Sequence, residues 1–356
     1  MLAYPSHLPS WLSNWIERWL LTNHPGHSAA QLGPLAGDGS TRSFFRLRWK
    51  TASGPLSSSI LVVDPSWVFS KDYPAHQAYL QQCGVAVPRF EKVDPGIGII
   101  VMEDLGDELL QKRILAQPSE KMAWLRRTVE FLVQMQGRTH PILDDLPVTR
   151  RRFDTQKYLD EFTFTEQHLS EGLLKLRPGS HERRHAARAF CQTIESIGPS
   201  VFVHRDFHTR NLLVFRDTLS IIDFQDARMG PPHYDLASLL YDPYMPLTNE
   251  EKAALLRHYQ KVMVFPRLIG ELDWETFPEE LEAVAFQRVV KAAGSFASFY
   301  TRYGKTTHLA YLEPALQSAL ALQTRLSAPY RASALTFPIN DWLTKWKVLK
   351  STFGLE

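Results

Sequence analysis

Two features are scarce in this chain of 356 residues: cysteine and excess charge. The only cysteines, Cys83 and Cys191, lie far apart and form no CxxC pair. This excludes a disulfide framework and a cysteine-based zinc site, and it leads us to expect a reduced, cytoplasmic setting. Cys83 reads as a thiol packed at a helix end. No apolar run approaches the ~18 residues needed to cross a bilayer, and Met1 to Pro5 lack the basic stretch of a secretory leader. The formal net charge is only +2, so bulk electrostatics argue for neither a nucleic-acid nor a membrane partner. There is no repeat, no low-complexity tract and no sign of an obligate protein partner. What remains is 44% hydrophobic content, enough for a sizeable core, in a length that suits two lobes.

The pattern along the chain divides accordingly. Trp11 to Leu20 is amphipathic and reads as a helix packed on the body of the protein. A glycine-containing turn, Gly37 to Ser43, precedes strands at Phe44 to Trp49 and Ser59 to Val63. A helix starts near Pro74 and stops near Gly84. Arg89 to Val93 and Ile97 to Met102 then form a hairpin around Asp94-Pro95-Gly96. Beyond this the pattern is mainly helical, with helices at Glu120 to Gln136 and His181 to Ile197. Short strands are expected at Ser200 to Val203, Leu212 to Phe215 and Leu219 to Phe224. The expected fold is α+β and bilobal, protein-kinase-like, with a small β-rich N-terminal lobe and a larger helical C-terminal lobe. We expect residues 1–104 to form the nucleotide-binding lobe and 105–356 the catalytic and substrate-binding lobe.

The chemistry concentrates in Val203-His204-Arg205-Asp206-Phe207-His208-Thr209-Arg210-Asn211, followed by Ile221-Ile222-Asp223-Phe224. An Asp, an Asn five residues on and a second Asp twelve residues after that follow the order of a phosphoryl-transfer site. In it, Asp206 takes the proton of an acceptor hydroxyl, while Asn211 and Asp223 hold Mg²⁺ through oxygen atoms. Any one of these residues alone is an ordinary turn or strand-end residue; the set, each beside a short apolar run, is what points to a kinase. Gly37, Asp38, Gly39, Ser40, Thr41 and Arg42 form the candidate phosphate cover. Met102, Glu103 and Asp104 join the lobes, where backbone groups read an adenine edge. One expected part is missing. The strand Ser59-Ile60-Leu61-Val62-Val63-Asp64-Pro65 carries no lysine, so Arg42, Arg46 or Lys71 must supply positive charge to the nucleotide phosphates, or the chain is a non-catalytic nucleotide-binding module.

These residues resemble the aminoglycoside phosphotransferase-like superfamily and, within it, the bacterial cell-wall amino-sugar kinases. The likeness is carried by Gly37 to Arg46, by His204 to Leu212, by Asp223 to Ala227 with Gly230-Pro231 and Tyr234-Asp235, and by Lys291 to Tyr311. The family shares the Val-Val-Asp-Pro strand end in place of a lysine. Arg150 to Phe162 falls in the family's acceptor-side helix region. The resemblance implies an ATP- and Mg²⁺-dependent kinase. Its substrate would be N-acetylmuramate or N-acetylglucosamine, phosphorylated at the anomeric hydroxyl in peptidoglycan recycling. A kinase of another small alcohol, such as an aminoglycoside or choline, is the alternative.

A sugar needs carboxylates and amides for its hydroxyls and an aromatic wall for its ring; a lactyl carboxylate adds a need for Arg or Lys. His208, Arg210, Gln225, Asp226, Arg228, Tyr241 and Asp242 are the candidates for this task. Arginine among the acids argues against a polycationic aminoglycoside. Asp235 reads as a structural carboxylate tying the catalytic and metal loops together.

Overall fold

The computed structural model describes residues 10–35, 42–64, 72–143 and 145–355. It separates into two compact units, Met1–Gln82 with Ala86–Asp107, and Cys83–Val85 with Glu108–Glu356.

The first unit is built on a five-stranded antiparallel sheet in the order β1-β2-β3-β5-β4. Its strands are β1 (Ser28–Leu35), β2 (Ser43–Lys50), β3 (Leu56–Val63), β4 (Phe90–Asp94) and β5 (Ile99–Glu103). Alternation sets which face is inside. Phe45, Leu47 and Trp49 of β2 share one face with Leu61 and Val63 of β3, and all five are buried. The helix α1 (Ser10–Asn23) covers this face with Leu12, Ile16, Trp19 and Leu20, the spacing of a single helical stripe. Burying each such side chain contributes about 1.5–3 kcal/mol, so α1 is part of the core rather than an appendage. The second helix, α2 (Asp72–Gln82), connects β3 to β4.

β1 did not stand out in the sequence. Its segment, Ser28 to Leu35, contains Gly33 and Pro34 and buries only Ala30 and Leu32. It is an edge strand, the one place in a sheet where proline is tolerated. The strand without a lysine is β3.

The second unit is mainly helical. Its helices are α3 (Leu110–Ala116), α4 (Lys121–Arg138), α5 (Thr155–Thr165), α6 (His181–Glu195), α7 (His233–Leu240), α8 (Asn249–Val262), α9 (Pro266–Gly270), α10 (Phe277–Tyr303), α11 (Leu312–Arg325), α12 (Ala328–Ala334) and α13 (Ile339–Leu349). Two small antiparallel ladders lie among them. β6 (Val201–Val203) pairs with β9 (Arg228–Gly230), and β7 (Leu212–Phe215) pairs with β8 (Thr218–Ile221). α5 and α10 approach closely at Gly294, where an added Cβ would stand 2.7 Å from the Cα of Thr165. The glycine is what lets the polar faces of these two helices meet. No helix among the described residues is long and apolar enough to cross a membrane.

Candidate active site

β6 delivers the loop that begins at His204. Its backbone is held by one buried carboxylate, Asp235 of α7. The amide of His204 donates to Asp235 Oδ2 at 2.7 Å and that of Arg205 to Oδ1 at 2.9 Å. Arg205 is held at φ +83°, a left-handed conformation that a residue other than glycine rarely adopts unsupported. Burial pushes the Asp235 carboxyl up to about 7, against the pull of these two bonds. His204 completes the loop: Nε2 bonds the carbonyl of Ile222 at 2.8 Å, and Nδ1 accepts from the amide of Asp206 at 3.2 Å. Burial lowers its pKa to about 4, so the ring is neutral near pH 7 and serves as a donor at Nε2 and an acceptor at Nδ1.

Asp206 follows. Its Oδ1 accepts from Nζ of Lys291, on α10, at 2.9 Å. Burial acts to raise the carboxyl, but Lys291, Arg205 and His208 outweigh it and hold the group well below the usual carboxylate range. Asp206 is therefore an anion with one oxygen fixed by a cation. Its side chain remains 29% exposed, so a hydroxyl can reach it. Asn211 donates Nδ2 to the carbonyl of Asp206 at 2.9 Å, which commits the amide nitrogen and turns the oxygen elsewhere. The carbonyl of Asn211 accepts from the amide of Ile222 at 3.0 Å, and Asp223 comes next in the chain, exposed and at φ +68°. The β7–β8 ladder thus brings Asp206, Asn211 and Asp223 into one hydrogen-bonded neighbourhood. An amide oxygen and a carboxylate are hard oxygen donors that suit Mg²⁺, which favours few protein ligands. Among the described residues no group of three or more His, Cys, Asp or Glu is placed to hold a metal.

Lysine 291 escaped the sequence reading as a partner of Asp206, because the two are 85 positions apart. So did Glu161, on α5. This buried carboxylate pairs with Arg205 and Lys157, both at 3.1 Å, and accepts from Gln287 of α10 at 2.9 Å. Gln287 and Lys291 are four residues apart and so share a helical face. Seen in sequence, Lys157 and Glu161 look like a surface i,i+4 pair, which disguises them.

The other candidates separate into two groups. His208, Arg210, Gln225, Asp226 and Arg228 lie on the loops and ladder around Asp206. His208 packs edge-on against Tyr244, with ring centres 5.0 Å apart, and burial lowers its pKa to about 4. The guanidinium of Arg210 sits 4.7 Å from the centre of the Tyr244 ring and 5.8 Å from that of Tyr311, an aromatic wall the sequence did not single out. Gln225 donates to Asp223 at 2.7 Å, and Asp226 lies 3.7 Å from Arg205.

Asp242 and Tyr241 form the second group, each engaged with the protein's own atoms. Both oxygens of Asp242 are filled: Oδ2 by the amide and hydroxyl of Thr209 at 3.0 and 2.7 Å, Oδ1 by the amide of Tyr244 at 2.8 Å. Its task is to pin the catalytic loop. Tyr241 is buried with Lys252 of α8 over its ring at 4.5 Å, and burial pushes its hydroxyl up to about 12.

In the first unit, Gly37, Asp38, Gly39, Ser40 and Thr41 fall outside the described residues, as does Lys71. Arg42 lies 3.4 Å from Asp64. Arg46, one of the three alternatives for positive charge on the phosphates, is held by two carboxylates. It bonds Asp104 at 2.7 and 2.9 Å and Asp107 at 2.5 and 2.8 Å, and it is buried. These bonds clamp the segment after β5 to β2, and they occupy the Asp104 side chain, which also caps the amide of Gly106 at 3.0 Å. Met102 is buried in β5 between Ile60 and Phe90, and the amide of Glu103 donates to the carbonyl of Arg89 at 2.9 Å.

Comparison with known proteins agrees with this geometry. The curated N-acetylmuramate/N-acetylglucosamine kinase of Neisseria meningitidis is 30% identical over 231 residues, covering 62% of this chain and 66%, just under two thirds, of that protein. Its namesake from Pseudomonas aeruginosa is 25% identical over 287 residues, 79% of this chain and 80% of that protein. Among solved structures, a choline/ethanolamine kinase family protein from Mesorhizobium loti superposes with a TM-score of 0.58 at 15% identity, over 93% of this chain and 99% of that one. The ADP-bound aminoglycoside phosphotransferase APH(2'')-Ib gives 0.57 at 15% identity, over 88% and 99%. At such identities the likeness shows the fold alone, and that fold is the protein-kinase-like α+β one. The model of the APH family, described as the phosphotransferase enzyme family, matches residues 75–274, more than half of the sequence, and the chain therefore belongs to that family.

Proposed function

We propose that this protein is an ATP-dependent kinase that phosphorylates the anomeric hydroxyl of an amino sugar, N-acetylmuramate or N-acetylglucosamine, in peptidoglycan recycling in the cytoplasm. The observation that carries the reading is the linked trio: ionised Asp206 held by Lys291, Asn211 bonded to the Asp206 carbonyl, and Asp223 adjoining Ile222, which bonds Asn211. The names of the curated relatives supply the sugar. In this reading the first unit takes the nucleotide through residues 37–42 and the backbone of 102–104. The second unit carries catalysis and the sugar. Asp206 orients the acceptor hydroxyl and receives its proton as the oxygen attacks the γ-phosphorus, while the bond from that phosphorus to the β,γ-bridging oxygen breaks and ADP leaves. Asn211 and Asp223 would hold Mg²⁺, which when bound would supply charge neutralisation on the phosphate oxygens. His208, Arg210, Gln225, Asp226 and Arg228 surround the sugar.

The test is turnover with ATP of a panel containing both amino sugars, choline and an aminoglycoside, followed by phosphorus NMR of the product. Coupling of phosphorus to the anomeric proton is the expected result. Coupling to the C6 protons, or turnover of choline or an aminoglycoside alone, defeats the assignment.

The metal assignment has its own check. Asp223→Asn should weaken binding of Mg²⁺·ATP while leaving metal-free ATP binding nearly unchanged, as read by calorimetric titration with and without Mg²⁺. Equal losses in both conditions would make Asp223 a structural residue.

A further inference from the structure

Among the described residues, four cationic side chains and two carboxylates cluster on the segments around the Asp206 loop. Arg151, Lys157, Arg205 and Arg228 interact around Glu161 and Asp226. Glu161 is already engaged: one oxygen serves both Arg205 and Lys157, and the other accepts from Gln287. Asp226 is mostly exposed and already lies against Arg205. Arg151 donates to the carbonyl of Gln225 at 3.3 Å.

Arg228 is left over. Among the described residues its Nε is buried without a hydrogen-bond partner, and no carboxylate stands within ion-pairing distance of its guanidinium. Burial and Arg205, with a smaller effect of Arg151, lower its pKa, and Glu161 and Asp226, which act the other way, do not offset them. A half-buried guanidinium among like charges is costly unless an anion completes it. Its place in the fold is also fixed. Arg228 pairs with Val203 across the β6–β9 ladder, and Val203 is three residues before Asp206 on the same run of chain. The carbonyl of Arg151 accepts from the amide of Met229 at 2.8 Å, which ties the second arginine to the same ladder.

We infer that Arg228, flanked by Lys157 and Arg151, forms an anion subsite for a carboxylate on the acceptor, so that the enzyme favours a carboxylate-bearing amino sugar over its neutral counterpart. This rests on the amino-sugar reading above and adds to it the feature that selects between the two sugars. A planar guanidinium matches a carboxylate in two parallel hydrogen bonds, whereas a neutral sugar leaves those donors desolvated and unpaired. The subsite binds and orients; it takes no part in proton transfer.

The experiment is steady-state kinetics of wild type, Arg228→Gln and Arg228→Lys with N-acetylmuramate and N-acetylglucosamine, each at saturating ATP. The readout is the ratio of kcat/KM for the acidic sugar to that for the neutral one. We expect Arg228→Gln to lower this ratio roughly 10- to 100-fold, the effect of losing charge-assisted hydrogen bonds, chiefly through KM for N-acetylmuramate. Arg228→Lys should recover part of it. An equal fall with both sugars, as a folding defect or a role on the nucleotide phosphates would give, overturns the subsite. So does an unchanged ratio. Wild-type turnover separates the two levels: if wild type uses neither sugar, the amino-sugar reading fails and takes the subsite with it, whereas turnover with an unaltered ratio in the variants defeats the subsite alone.

Discussion

Asp206→Ala is expected to slow phosphoryl transfer roughly 10²–10⁴-fold, the usual effect of removing a general base, while ATP binding and the melting temperature stay near wild type. Among the described residues the carboxylate makes one side-chain bond, to Lys291. The loop around it is held by other groups, namely the Asp235 carboxylate, the His204 ring and the Asn211 amide. Losing the Asp206 side chain therefore removes chemistry without removing the scaffold. Asp206→Asn should be nearly as slow, since it keeps the shape and loses the charge. Steady-state transfer assays with a parallel calorimetric ATP titration check both variants. Turnover within threefold of wild type would remove Asp206 from its assigned role.

Lys291→Met should have the next largest effect, roughly 10- to 100-fold on kcat with little change in KM for ATP, because a base displaced by even 1 Å loses about that much. The pH profile gives a second, independent readout. Lys291 is the largest of the influences that hold the Asp206 carboxyl below its usual range. Removing the cation lets burial prevail, the pKa rises, and Asp206 is protonated over a wider acid range. The acid limb of kcat should therefore move to higher pH in Lys291→Met and stay near its wild-type position in Lys291→Arg. A kcat within threefold of wild type, with an unmoved acid limb, would show that the ion pair has no part in setting the base.

The loop proposed to carry catalysis was legible in the sequence because its residues are neighbours in the chain. Asp206, Asn211 and Asp223 lie on one short stretch, each next to an apolar strand, and the ladder that gathers them joins neighbours in the chain. The supporting charges were hidden for the opposite reason. Lys291 reaches Asp206 from α10, and Gln287 reaches Glu161 across 126 positions. Neither contact leaves a mark on spacing or periodicity; the second depends on how α5 and α10 pack, closely at Gly294. Asp242 and Arg46 illustrate a different difficulty. A polar side chain near a functional motif is as suited to holding the loop as to holding a ligand, and only the occupancy of its atoms distinguishes the two. β1 was lost because an edge strand is free of the pattern that a central strand must obey.

The β7–β8 hairpin also bears on how such sites vary. Its turn, Arg216-Asp217, has both residues at positive φ, +48° and +58°, as the tightest hairpin connection requires. From that turn the ladder runs down to Asn211 and Ile222 at its open end. The proximity of Asn211 and Asp223 is thus set by pairing at one end and is indifferent to how far away the other end lies. Lengthening the arms pair by pair adds residues two at a time and leaves the open end untouched. A single added residue in one arm makes a bulge or a slip, and a slip turns every side chain to the opposite face. The interval between the two residues can therefore grow by pairs in the arms or by residues taken up in the turn, so the pairing at the open end is a better guide than a fixed count when this arrangement is sought in other chains.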